Sequence, residues 1–203
     1  MKKQLVLSVY TAEAPFVFEK KVKPFMLERS IAELDTKYRH IIPYVAILCR
    51  NKIAVYKRSG NEKRLVDLYS VGFGGHIDEE DVVYKNGYAY NSKILEEEFG
   101  YREEISLETT VISCMRRELM EEVGLDSTKY PAERLSNIIF NSSAVDSVHL
   151  GIPFVIRIPN FEEVSTSNEV KRILWRTRQD VEKLKLESWS VDVLRQLKER
   201  NIF

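Results

Sequence analysis

The chain has 203 residues, with 31 lysines and arginines balanced by 31 aspartates and glutamates. That neutrality excludes a global basic field able to gather a nucleic-acid polymer, and the length suits one well-buried core better than two full domains. Two cysteines, Cys49 and Cys114, stand in no C-x-x-C or zinc spacing and read as small core residues of a reducing compartment.

Residues 4–10 alternate as a strand does. The start, Met1-Lys2-Lys3 and then Leu5 to Tyr10, has an apolar run too short for a secretion signal, and Glu13 closes it. Phe25 to Leu34 has helical spacing, with Glu28, Arg29, Glu33 and Asp35 as its wet side. Residues 1–39 are therefore expected to form an N-terminal extension packed on the core. Ile41 to Cys49 and Lys52 to Tyr56 predict a hairpin turning at Arg50-Asn51, with Asn51 suited to the positive φ of a tight turn. Lys57, Arg58 and Arg64 follow, basic residues that could meet phosphate. Leu65 to Phe73 is strand-like and runs into Gly74-Gly75-His76-Ile77-Asp78, where the glycines allow close backbone approach to a ligand.

The next stretch, with Tyr84, Gly87, Tyr88 and Tyr90, reads as a hairpin or flap, and the charged Glu96-Glu97-Glu98 follows it. From Thr110 to Val123 the apolar positions Val111, Cys114, Met115, Leu119 and Val123 recur at helical spacing, and Gly124 ends the helix. Leu135 to Phe140, Val148 to Ile158 and Ile173 to Trp175 predict strands. Asn160 to Glu169 reads as a polar loop, and Thr177 to Leu184 and Ser188 to Lys198 as amphipathic helices. No segment has the ~18 uncharged apolar residues of a membrane span, so the expectation is a soluble, cytoplasmic protein.

The densest chemistry lies in Arg117-Glu118-Leu119-Met120-Glu121-Glu122-Val123-Gly124-Leu125. On a helix, Glu118, Glu121 and Glu122 stand at i, i+3 and i+4 and share one face, with Arg117 one turn before Glu121. Three carboxylates so placed repel unless a hard cation takes their oxygens, as Mg²⁺ or Mn²⁺ would. His76 lies beside the glycine pair. His40 and His149 flank apolar strands and read as satisfied structural groups, and no H-E-x-x-H spacing points to zinc.

This string resembles the second half of the Nudix box, G-x5-E-x7-R-E-U-x-E-E-x-G-U, where U is a bulky aliphatic residue. The first half departs from it. Asp81 stands where the first glutamate belongs when counted from Gly75, but thirty-five residues separate Asp81 from Arg117 where the pattern has seven. Either Asp81 or Glu108 takes that first place, and the insertion spans about 82–107.

The resemblance implies an α/β/α sandwich with a mixed central sheet over residues 40–203. It implies metal-dependent hydrolysis of a diphosphate linkage in a nucleoside diphosphate joined to another group, with a small-molecule nucleotide as partner and no membrane. Glu118, Glu121, Glu122 and the Gly75 carbonyl would be the metal ligands, and Arg117 an orienting residue. Lys57, Arg58, His76 and Glu163 are candidates for substrate contact. Glu118, Glu162, Glu163 and Glu169 are candidates for the general base. A catalytically silent nucleotide-sensing module is the alternative. Some relatives of this fold instead isomerise isopentenyl diphosphate, using a cysteine and a histidine-built metal site, which the spacing of the cysteines and histidines here does not support. A homodimer contact through the N-terminal extension stays open.

Overall fold

A computed structural model of the chain describes residues 4–19, 22–58, 67–85, 104–168 and 170–203. It is a mixed α/β structure with a large antiparallel sheet and few helices. The residues fall into two compact units, described in turn.

The first unit comprises Met1–Pro43, Gly75–Cys114 and Ile139–Leu150. Strand β1 (Leu5–Tyr10) lies between β2 (Phe25–Glu28) and the first residues of β3 (Tyr38–Cys49), antiparallel to both. The helical spacing read from Phe25 onward is therefore only partly realised. Phe25 to Glu28 pair with Ser8 to Leu5, and the helix α1 is confined to Arg29–Ala32. Sheet hydrogen bonds from β1 outweigh the local preference of that segment, as tertiary context commonly does. Tyr10, Phe25 and Tyr38 meet on this sheet with ring centroids 5.2 to 5.9 Å apart.

The residues on either side of 86–103 also belong here. Tyr84 forms an antiparallel bridge with Ile105, and the amide N–H groups of Lys85 and Ser106 donate to the carbonyls of Glu104 and Val83 at 2.9 and 2.8 Å. Thr110, buried in the first turns of helix α2 (Leu107–Val123), accepts the Val83 N–H on its hydroxyl at 2.9 Å. Gly87, Tyr88, Tyr90 and Glu96 to Glu98 lie outside the described residues.

The second unit comprises Tyr44–Gly74, Met115–Ile138 and Gly151–Phe203. From Tyr44 onward β3 pairs with β4 (Lys52–Lys57) and β6 (Gly72–Phe73), and β4 pairs in turn with β5 (Tyr69–Ser70) and β9 (Ile173–Arg176). β7 (Ala132–Arg134) pairs with β8 (His149–Ile158). Helices α3 (Arg178–Val181) and α4 (Ser188–Glu199) follow β9. β3 is buried along nearly its whole length, which accounts for its unbroken apolar run.

The hairpin lies where the sequence puts it, but the positive φ falls on Arg50, at 55°. Leu135 to Phe140 is not a strand; it touches β8 through the Leu135 N–H, which donates to the Pro153 carbonyl at 2.8 Å, and through a bridge from Ile138 to Gly151. β8 also pairs with β3, and Tyr69 and Leu186 form a parallel bridge.

A polar network is sealed inside this unit. The Tyr44 hydroxyl donates to Glu187 Oε1 at 2.7 Å and lies 2.9 and 2.8 Å from the hydroxyls of Ser70 and Ser190. Burial, then the neighbouring Glu187 charge, raises the Tyr44 pKa well above that of a free phenol. Gly72 is required by the same tyrosine, since a Cβ there would stand 2.0 Å from its ring. No helix among the described residues is long and apolar enough to cross a membrane.

Candidate active site

Helix α2 carries the acidic residues because its other face is apolar. Val111, Cys114, Met115, Leu119 and Val123 are all buried, as their spacing predicts. The helix ends at Gly124, whose φ of 63° suits glycine, and the N–H groups of Gly124 and Leu125 close on the carbonyls of Met120 and Leu119 at 3.0 and 3.1 Å.

The three glutamates of one helix face have three different environments. Glu122 is 8 % exposed, and its Oε2 accepts the backbone N–H of Gly74 at 2.8 Å. The side chain of Glu118 is 13 % exposed and that of Glu121 59 %, and both accept hydrogen bonds from Arg117 Nη1, at 2.8 and 2.9 Å. Arg117 thus joins the carboxylates one and four residues ahead of it. Carboxylate oxygens are ligands that Mg²⁺ and Mn²⁺ prefer, and a buried carboxylate such as Glu122 would gain more than an exposed one from a cation. Glu118 and Glu121 would then exchange the guanidinium for it.

Of the two residues competing for the first place in the box, Glu108 lies on α2 itself. Nine residues before Arg117 it is about 13.5 Å away along the helix and on the opposite face, too far to brace it. Asp81 is buried, and its carboxylate accepts the Asp78 N–H at 3.0 Å within a capping box around the short 3₁₀ turn Glu79–Asp81.

The basic candidates are engaged within their own unit. Lys57 forms an ion pair with Asp67 at 2.6 Å. Arg58 donates to the Tyr56 hydroxyl at 3.4 Å and lies 3.8 Å from Glu187. Burial works against its charge, but Tyr56, Glu187 and Tyr44 together hold its pKa above the usual range. Glu163 ends the 3₁₀ turn Phe161–Glu163 and accepts a hydrogen bond from Tyr130, which raises the tyrosine pKa. Arg64 and Glu169 lie outside the described residues.

Gly75 and His76 belong to the first unit, where the Cys114 thiol donates to the His76 carbonyl at 3.3 Å. His40 departs from its reading as a satisfied structural group, and the three histidines come together. Among the described residues, His40, His76 and His149 are the one group of histidine, cysteine, aspartate or glutamate side chains whose ligand atoms all lie within 4.8 Å of one another. His40 is fully buried, and neither of its ring nitrogens has a hydrogen-bond partner. Burial, then repulsion from His149, His76 and Arg29, pushes its pKa down to about 2. Burial, then Arg29 and His149, lowers that of His76 to about 3. No sequence spacing signals this cluster, since its members come from β3, a loop and the start of β8.

Among solved structures, the chain is similar over 98 % of its length to the whole of Tm1382, reported as a candidate Nudix hydrolase, at a TM-score of 0.65 and 23 % identity. The Nudix domain of NrtR from Shewanella oneidensis, solved in complex with ADP ribose, matches 80 % of the chain and 88 % of that domain at a TM-score of 0.55 and 14 % identity. The chain has the Nudix fold. DR0079 from Deinococcus radiodurans aligns over 95 % of the chain and 98 % of its own, with a TM-score of 0.54 and 13 % identity. Protein YmaB of Bacillus subtilis is 28 % identical over 180 residues, covering 83 % of this chain and 77 % of that protein. No family model matches the chain. Within the Nudix fold of this chain, α2 is the helix that bears the box-like motif, and Glu118, Glu121 and Glu122 are its acidic residues.

Proposed function

We propose that this protein is a metal-dependent hydrolase of diphosphate linkages, acting on a nucleoside diphosphate joined to a second group. The observation that carries the reading is the placement of Glu118, Glu121 and Glu122 on one face of α2, with Glu122 buried and oriented by the Gly74 N–H. Glu118, Glu121, Glu122 and the carbonyl of Gly75 would hold Mg²⁺ or Mn²⁺. Such an ion, when bound, neutralises phosphate oxygens and acidifies a water for attack at phosphorus.

The residues themselves supply position and charge. The hydrogen bond from Gly74 fixes one carboxylate before substrate arrives, and this preorganisation is where most of the rate would originate. Arg117 holds Glu118 and Glu121 in the metal-free protein and spares the helix their repulsion. Glu118, Glu162 and Glu163 are the described candidates for taking a proton from the attacking water, and Lys57, Arg58 and His76 for contacting substrate. The ADP ribose held by the NrtR domain supports a substrate of that class.

The second reading, a nucleotide-sensing module without turnover, is favoured by Arg117, which already compensates two of the three carboxylates. One experiment separates them. The purified chain is incubated with Mg²⁺ or Mn²⁺ and a panel that includes ADP-ribose, nucleotide sugars, dinucleoside polyphosphates and nucleoside triphosphates, and products are resolved by chromatography. Cleavage that requires the metal and Glu122 supports the hydrolase; tight nucleotide binding without cleavage supports the sensor.

A further inference from the structure

His40, His76 and His149 lie in the unit formed by Met1–Pro43, Gly75–Cys114 and Ile139–Leu150, and they reach one another from three separate elements. His40 projects from β3, fully buried, with both ring nitrogens lacking a hydrogen-bond partner. A buried polar atom left unsatisfied loses its hydration with nothing in return, so a ring buried without partners calls for a reason beyond packing. The ring of His149 lies against it, tilted by 31° with centroids 3.9 Å apart, and that of His76 lies 4.8 Å from it.

The tautomer of His149 is set by its surroundings. Its Nδ1 stands 2.6 Å from the Val145 carbonyl, which can only accept, so Nδ1 carries the proton and Nε2 presents a lone pair. A ring N–H given to a backbone carbonyl is the usual support of a metal-binding histidine. The segment that carries His149 is fastened to β3 by Arg39, whose Nη1 donates to the carbonyls of Asp146 and His149, each at 2.7 Å. Arg39 and His40 are neighbours on the strand, so one anchor positions two members of the cluster.

We propose that His40, His76 and His149 form a binding site for one divalent ion of the zinc class. The donors are three imidazole nitrogens, with no carboxylate or thiol of the described residues in the group. Such a set suits Zn²⁺, Co²⁺ or Ni²⁺ and is poorly matched to Mg²⁺ or Mn²⁺. Zinc–nitrogen bonds of about 2.0–2.1 Å would bring the three atoms to roughly 3.4 Å from one another, a contraction that small rotations of the rings supply. Three ligands leave a fourth position for water or a substrate oxygen. His76 and His149 are partly exposed, which provides a path of entry. This site stands independently of the hydrolase reading, because it uses none of the glutamates of α2.

The full-length protein is stripped of metal, dialysed against Zn²⁺ in the presence of excess Mg²⁺, and its metal content is measured. The same is done for His149→Ala and for the triple variant Glu118→Gln, Glu121→Gln, Glu122→Gln. One equivalent of zinc in the wild type, retained in the triple variant and reduced to background in His149→Ala, is the expected result. No zinc in the wild type, or zinc lost with the glutamates and kept without His149, overturns the proposal. Imidazole ¹⁵N spectra of the wild type guard against a misfolded variant: zinc should shift the resonances of all three histidines, and unmoved resonances would sink the idea.

Discussion

Glu122 Oε2 and the backbone N–H of Gly74 are joined by a 2.8 Å hydrogen bond that ties the acidic helix to the glycine turn. A carboxamide can still accept that bond, so Glu122→Gln removes the charge and leaves the tie. The variant should melt within a degree or two of the wild type and lose metal-dependent diphosphate cleavage by at least roughly 100-fold, since even indirect partners of a metal site are worth 10–100-fold. Steady-state rates on the cleaved substrate, beside a thermal melt, check this; normal turnover would remove Glu122 from the ligand set.

Gly124 terminates α2 in the left-handed region, and a Cβ there would also stand 2.6 Å from Ser165 Oγ. Gly124→Ala should therefore cost about 1–2 kcal/mol for the backbone conformation, with an added steric part. Urea denaturation of Gly124→Ala in the Ser165→Ala background should recover the steric part only. Complete recovery would mean that the backbone conformation carries no penalty.

Tyr44 is the donor to the buried Glu187. Tyr44→Phe leaves that carboxylate short of one hydrogen bond at nearly unchanged volume, and should destabilise the protein by about 1–3 kcal/mol. A denaturation midpoint equal to that of the wild type would show that Ser190 and Arg58, the other neighbours of Glu187, suffice.

Acid should destabilise the metal-free protein through its histidines. His40 and His76 have folded pKa values of about 2 and about 3, against 6.5 for an unperturbed ring. Between these limits the unfolded chain binds more protons, so the stability of the neutral rings is complete above pH 6.5 and is lost progressively as pH falls toward the folded values. The slope is up to about 1.4 kcal/mol per pH unit for each histidine. Urea midpoints measured from pH 7 to pH 5 should fall, and less steeply in His40→Phe; parallel profiles would show that His40 titrates normally.

The acidic helix was legible because its signals are local: apolar positions at helical spacing, carboxylates at i, i+3 and i+4, and a closing glycine. The β3–β4 hairpin was legible for the same reason, although Arg50 rather than Asn51 takes the positive φ. What escaped depends on distant partners. Phe25 to Glu28 became a strand because β1 offers hydrogen bonds that no window of local sequence reveals. The histidine cluster draws on β3, the glycine turn and β8, and Arg39, which fastens two of these elements, looks in sequence like any basic residue at the start of a strand.

The bridge between Tyr84 and Ile105 has a practical meaning. Tyr84 and Ile105 are bridged, and Ser106 and Thr110 hold Val83 at the start of α2, so the described residues on either side of 86–103 are fastened to one another. Because the cost of closing a loop grows only slowly with its length, the length of chain between Lys85 and Glu104 should be a weak determinant of stability. Exchanging residues 86–103 for a short turn should therefore leave the Tyr84–Ile105 bridge, and with it the start of α2, in place.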